Sequence, residues 1–194
     1  DFFGIKPVYY AEIDGHFVFA SEIKSILAFP GYERKVNQKA LEQYLSFQYA
    51  PLEETFFKGI YKLMPGHMLL YKNGNYEIKT YFKTKLTPGK WNRKTNMDQL
   101  RSQLAEILKD SVKHHMLSDV EVGAFLSGGV DSGYLASASG ADQAFTVGFD
   151  EGDRYSEVNK AAKVAEKAGL KHHVKIISKQ EFWDALPDVM YHMD

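Results

Sequence analysis

The chain has 194 residues, of which 44% are hydrophobic, 14% aromatic and 25% charged, a composition that folds and excludes global disorder. Lysine and arginine total 24 against 25 acidic residues, for a net charge of -1, so neither a nucleic-acid partner nor a membrane surface is implied by charge. With no cysteine, the chain itself holds no disulfide, no cysteine-ligated zinc and no thiol nucleophile, and it suits a reducing, cytoplasmic setting.

No secretory signal and no apolar run near the length of a membrane span is present. The chain begins at Asp1 without a methionine and ends in DVMYHMD, which reads as a helix without its cap. Both ends are therefore expected to continue in a longer protein.

The first half reads as sheet with short helices. PVYYAEIDGHFVFAS holds two apolar runs around Asp14-Gly15, a pair that tolerates positive φ and predicts a two-residue hairpin. Tyr9, Tyr10, Phe17 and Phe19 alternate along these strands and are expected to pack in a core or between domains. A short helix is predicted from a Ser21 cap through Ile23, Ile26 and Leu27 to Pro30-Gly31. Asn37 is expected to cap QKALEQYLSFQY, with Leu41, Tyr44 and Leu45 on one face. HMLLYKNGNYEIKTYF predicts a second hairpin turning at Asn73-Gly74.

Composition shifts over KTKLTPGKWNRKTN, residues 83–96, with five basic residues and no acid. No aromatic platform or helical face organises that charge, so it reads as a solvated linker rather than a nucleic-acid contact. The expected domains are therefore residues 1–85 and 97–194, joined by a linker over 86–96.

The second half alternates helix and strand. Asn96 and Gln99 have capping-box spacing ahead of a helical stripe of Leu100, Leu104, Ile107 and Leu108. VGAFL (122–126), AFTVGF (144–149) and HHVKII (172–177) are expected strands. Ser156 is expected to cap a helix whose face carries Val158, Ala162, Ala165 and Ala168, with Gly169 ending it. Ser178 and Glu181 form a further capping box, and Pro187 should kink or shorten the last helix. Strands alternating with helices argue a parallel sheet with right-handed crossovers.

At the end of the first of these strands stands AFLSGGVDSGYL, residues 124–135. Ligands of parallel sheets bind beyond strand carboxyl ends, where the next helix starts. Gly128 and Gly129 let successive N–H groups converge on one point, and the following helix adds its partial positive charge. Ser127 and Ser132 can donate to phosphate oxygens. Asp131 would repel a bare phosphate, and a Mg²⁺ shared between carboxylate and pyrophosphate would explain it. The alternative is an ordinary glycine-rich turn in which Asp131 caps a helix. The stretch is neither a Walker A loop nor a GxGxxG fingerprint. Of the other polar clusters, the pairs His114-His115 and His172-His173 read as surface or structural. Asp150, Glu151 and Asp153 read as a solvated turn.

SGGVDS resembles the pyrophosphate-loop signature of the ATP pyrophosphatases. Its context narrows the family: SDVEVGAFLSGGVDS, FTVGFDE and YSEVNKAAKVAEKAGLKHH resemble the opening of the synthetase domain of glutamine-dependent asparagine synthetases. DFFGIKPVYY and FVFASEIKSIL resemble the closing part of their N-terminal glutaminase domain, and FKGIYKLMPGHMLLY resembles the next segment of those enzymes.

The resemblance implies an α+β then α/β chain. It would comprise the end of an N-terminal-nucleophile glutaminase sandwich, then the start of a parallel-sheet nucleotide-binding domain. It implies ATP and Mg²⁺ as cofactors, and aspartate with glutamine or ammonia as substrates of the parent protein. Aspartate would attack the α-phosphate to give β-aspartyl-AMP and pyrophosphate, and ammonia would then displace AMP to yield asparagine. By match to the motif, Ser127, Gly128, Gly129, Val130, Asp131 and Ser132 would hold the pyrophosphate, with Asp131 toward the metal. Leu126 and Val147 would meet the adenosine. Gly133 stands where the family commonly has a second serine. The family's nucleophilic cysteine and its SGEGSDE motif are both missing from the 194 residues, so the segment alone is expected to be inactive.

Relatives with the same plan include β-lactam synthetases and peptide-cyclising homologues. A tRNA-modifying pyrophosphate-loop enzyme and a non-catalytic nucleotide-binding module are the alternatives from other classes. The expected partners include no nucleic acid and no membrane, and a homodimer is compatible with the plan.

Overall fold

Asp14 and Gly15 adopt φ of 47° and 78°, and Asn73 and Gly74 adopt 53° and 79°. These are the left-handed pairs that let a two-residue turn follow the twist of antiparallel strands. Each joins a hairpin in the computed structural model, which describes residues 1–85, 96–150 and 157–193. The chain divides near residues 88 and 89 into two compact units.

In the first unit, β1 (Tyr9–Ile13) pairs with β2 (His16–Ala20) on one side and β3 (Ile60–Lys62) on the other, both antiparallel. Alternation along β1 sends Ala11 and Ile13 toward a core completed by Ile60 and by Ile23 and Ile26 of α1 (Ile23–Leu27). Tyr10 points the other way, packing its ring near Phe17, Tyr61 and Tyr76 at 5.7–6.2 Å. Tyr76 lies on the second hairpin, β4 (His67–Lys72) with β5 (Asn75–Thr80). Burial and the nearby Glu53 carboxylate push the Tyr10 hydroxyl up to about 12.

The helices of this unit depart from expectation. The residue before α1 is Glu22, not Ser21, and it makes no side-chain cap. Asn37 does precede α2 (Gln38–Phe47), again without a side-chain bond, and the buried residue is Ala40. Leu41, Tyr44 and Leu45 are exposed, as is Phe19. The periodicity of large apolar side chains does not anticipate burial at the smallest residue of the helix.

The second unit runs α3 (Met97–His115), β6 (Ala124–Phe125), α4 (Val130–Ser139), β7 (Gln143–Phe149), α5 (Val158–Ala168), β8 (Lys171–Ile177) and α6 (Lys179–Met193). The three strands form a parallel sheet in the order β6-β7-β8. Its core is Leu126, Ala136, Ala144, Ala161 and Ala165. Four of these five are alanines, so α4 and α5 lie close against the sheet. The α5 face is therefore Ala161 and Ala165, whereas the predicted Ala162 is exposed.

The Asn96 side chain accepts from the Asp98 and Gln99 amides. Of α3, only Val112 is buried, and Leu104 and Ile107 of the predicted stripe are exposed. The Ser178–Glu181 box is reciprocal: Ser178 N–H donates to Glu181 at 2.8 Å and Glu181 N–H to Ser178 Oγ at 3.1 Å. The α6 helix continues through Pro187 instead of stopping there. Because α6 buries no residue, the carbonyl that loses its donor can turn to solvent. Residues 86–95 of the expected linker, the expected cap Ser156, and Glu151 and Asp153 lie outside the described residues. No helix among those described is long and apolar enough to cross a membrane.

Candidate functional site

The β6 ladder ends after two residues, which pair Ala124 with Ala144 and Phe125 with Phe145. The expected strand over 122–126 is thus shorter at both ends. Leu126 N–H still donates to Phe145 O at 2.9 Å, and the chain then turns through Ser127 and Gly128. Gly128 has φ of +76°, and a Cβ built there would stand 2.7 Å from Lys160 Cβ and 2.9 Å from the Ala161 nitrogen. Only glycine meets both the left-handed backbone and the close approach of α5. Gly129 then takes the N-cap position of α4 in extended conformation, with no side chain capping the helix.

The two serines close the loop on itself. Ser132 Oγ–H donates to Gly129 O at 3.3 Å, and the two hydroxyl oxygens lie 3.0 Å apart. With the Ser132 proton spent on that carbonyl, Ser127 is the donor between the hydroxyls. Ser127 Oγ accepts in turn from Gly129 N–H at 3.4 Å, and Ser132 Oγ accepts from Ser127 N–H at 3.3 Å. Both hydroxyl protons are committed within the loop. The loop amides that have no acceptor among the described residues, and are left for an incoming anion, are those of Gly128 and of Val130, Asp131 and Ser132 in the first turn of α4.

This donor set fits a pyrophosphate: main-chain N–H groups at an uncapped helix start, a glycine allowing close approach, and hydroxyls able to reorient. The exposed Asp131 carboxylate lies in the same first turn. It can supply one oxygen ligand to a Mg²⁺ held otherwise by phosphate and water. No cluster of three or more candidate metal ligands occurs among the described residues. A cleft of about 630 Å³ opens between α4 and α5, lined by Gly128, Gly129, Gly133, Ser137, Val164 and Lys167. A second, of about 550 Å³, lies on the other flank of α4, lined by Val112, His115, Phe125, Ser132 and Leu135.

The loop residues 127–132 are thus brought together. Leu126 and Val147 are not: Leu126 is 2% exposed within the alanine core, whereas Val147 is 54% exposed. Strand alternation puts Val147 on the sheet face opposite Ala144 and Thr146. Asp150 is exposed at the end of β7. The histidine pairs do not act as pairs. His114 and His115 each bond a carbonyl one turn back. His172 reaches the Thr146 hydroxyl at 2.7 Å, and His173 reaches Gln143 at 3.0 Å while stacking on Phe145.

Two contributors escaped the sequence reading. Lys160 abuts Gly128 through a contact with no sequence signal. Thr146 is 4% exposed and donates to Leu126 O at 2.6 Å; its alternation with Ala144 and Gly148 is the pattern that could have placed it inward.

Comparison with known proteins covers both units. The glutamine amidotransferase domain family matches residues 1–82, and the asparagine synthase family matches residues 103–194. Asparagine synthetase [glutamine-hydrolyzing] 1 of Bacillus subtilis is 37% identical over 199 residues, covering 100% of this chain and 30% of that protein. A putative asparagine synthetase [glutamine-hydrolyzing] of Mycobacterium tuberculosis is 34% identical over 204 residues, covering 100% and 31%. A second putative synthetase of this kind, from Methanocaldococcus jannaschii, is 30% identical over 192 residues, covering 94% and 36%. The chain thus spans about a third of the length of the curated relatives it matches. With both family segments present in order along one chain and the SGGVDS loop at the head of α4, the chain belongs to the glutamine-hydrolysing asparagine synthetase family.

Proposed function

We propose that the second unit binds Mg-ATP through residues 127–132 and that the whole protein uses it to adenylate aspartate, with ammonia from glutamine completing asparagine. The observation that carries this is the uncapped start of α4, set against α5 by a glycine that tolerates no side chain. The first-turn amides of Val130, Asp131 and Ser132 receive the negative charge that builds on the departing pyrophosphate. Ser127 and Ser132 turn their hydroxyls outward as phosphate oxygens replace their mutual bond. Asp131 orients Mg²⁺, which when bound neutralises the same charge.

The adenosine side of the reading rests on family likeness at Leu126 and Val147. Leu126 has only main-chain atoms to offer, its side chain being in the core, whereas Val147 presents its side chain. Glutamine, ammonia and aspartate, the cytoplasmic setting and any homodimer belong to the whole protein and are part of the same proposal. So are the domain limits at 1–85 and 97–194.

The test incubates the full-length protein with Mg-ATP and ammonia, with and without aspartate, and identifies the nucleotide product. Aspartate-dependent AMP, pyrophosphate and asparagine are expected. ADP and phosphate would overturn the loop assignment. AMP formation without aspartate dependence would move the acceptor to a related amide-forming chemistry, such as that of the β-lactam synthetases.

A further inference from the structure

Leu126 is the last residue before the loop, and how its carbonyl is held sets the direction in which residues 127–129 leave the sheet. In a parallel ladder a residue's N–H and C=O bond to neighbours flanking one residue of the next strand. Leu126 N–H keeps to that pattern by donating to Phe145 O at 2.9 Å. Its carbonyl instead accepts the Thr146 hydroxyl at 2.6 Å. A side chain on β7 thereby anchors the end of β6, whose regular pairing stops at Phe125.

The hydroxyl is itself held. Thr146 has one proton, and Leu126 O can only accept it, so the 2.7 Å contact with His172 Nε2 must be an N–H donated to Thr146 Oγ1. His172 pairs with Ala144 in the β7–β8 register, so it approaches Thr146 diagonally on the same face, within reach of a long side chain. Thr146 is among the few buried polar side chains of the described residues, and in a site this dry an unmade bond is costly.

We infer that Thr146 and His172 are positioning residues for the 127–132 loop. A relay from β8 through β7 to the Leu126 carbonyl aims the amides of the α4 start at the anion. Neither residue touches the loop's ligand side. Both act through Leu126. The consequence for nucleotide rests on the function proposed above, whereas the anchoring of the loop does not.

The test uses the full-length protein with Thr146→Val, which keeps the shape and removes the hydroxyl, and Thr146→Ser, which keeps the hydroxyl. His172→Leu and His172→Gln make the matching pair on β8, the glutamine retaining a donor. Hydrogen exchange of the bonded amides of Leu126, Ser127 and Gly129 is measured without nucleotide, and ATP affinity by calorimetry. Thr146→Val should speed exchange of those amides by about tenfold and weaken ATP binding by a similar factor, while β8 amides exchange as before. Thr146→Ser should restore both to within about twofold, and the histidine pair should behave in parallel.

Unchanged exchange and affinity in Thr146→Val overturns the inference, as does an equal loss in Thr146→Ser. Should Thr146→Val fail to fold, His172→Leu against His172→Gln decides by the same readouts. A wild-type protein that binds no ATP would defeat the proposed function and leave the exchange result to judge the relay.

Discussion

Gly128 sits on the root of the Lys160 side chain: a Cβ on the glycine would stand 2.7 Å from Lys160 Cβ. The loop is thereby seated on the first turns of α5, and the position of α5 sets where the α4 amides converge. A left-handed φ of +76° at the same residue adds a backbone requirement to the steric one.

Gly128→Ala should therefore cost roughly 2–4 kcal/mol, from left-handed strain and overpacking together. Urea unfolding of the full-length protein measures it. ATP affinity should fall as well, because any relief of the clash moves the loop off α5. A variant with undiminished stability would show that α5 yields freely there.

Gly133 offers the opposite case. It is buried in α4 at ordinary backbone angles, and a Cβ would lie 3.5 Å from Val164 Cγ1, an ordinary contact. Gly133→Ala should stabilise the protein by up to about 1 kcal/mol through helix propensity. A rise in melting temperature is the expected reading, and a fall would mean that α4 and α5 are packed more tightly than the geometry shows.

Asp131 should reveal itself by a change of sign. Without Mg²⁺, Asp131→Asn removes a carboxylate from beside the phosphates, so ATP should bind more tightly than to wild type. With Mg²⁺ the variant should bind about tenfold more weakly, a loss of ~1.4 kcal/mol. Titrations with and without the metal give both numbers. The same direction in both would exclude a metal-bridging role.

Glu181 supplies the pH dependence. The Ser178 amide, then Lys175 at 2.9 Å, holds its carboxyl down at about 2, against 4.5 for a free glutamate. A group with a depressed folded value contributes stability above the unfolded value and loses it as pH falls toward the folded one. The melting-temperature advantage of wild type over Glu181→Gln should be full above about pH 4.5 and shrink as pH falls toward about 2. A pH-independent difference would show that only the hydrogen bond matters.

Much of this protein was legible before folding because the signals are local. Asp14-Gly15 and Asn73-Gly74 encode their turns by backbone preference alone. Ser178 and Glu181 satisfy each other across one helical turn, and Gly169 ends α5 in the left-handed conformation that it favours. The order of strands and helices, and with it the SGGVDS loop at a strand end, came from the same short-range rules.

What only the tertiary structure decided are relations between distant residues. Ala161 joins the expected Ala165 in facing the sheet, where periodicity favours Ala162. Leu126 and Val147 part to opposite sides because strand alternation acts on each strand separately. Gly128 against Lys160, and the two links of the path from His172 through Thr146 to Leu126, join residues 20 to 32 positions apart in the sequence. Contacts over such separations leave no periodic trace along a single chain. They exist only once the sheet has closed, because closure alone brings those side chains within hydrogen-bond and van der Waals range.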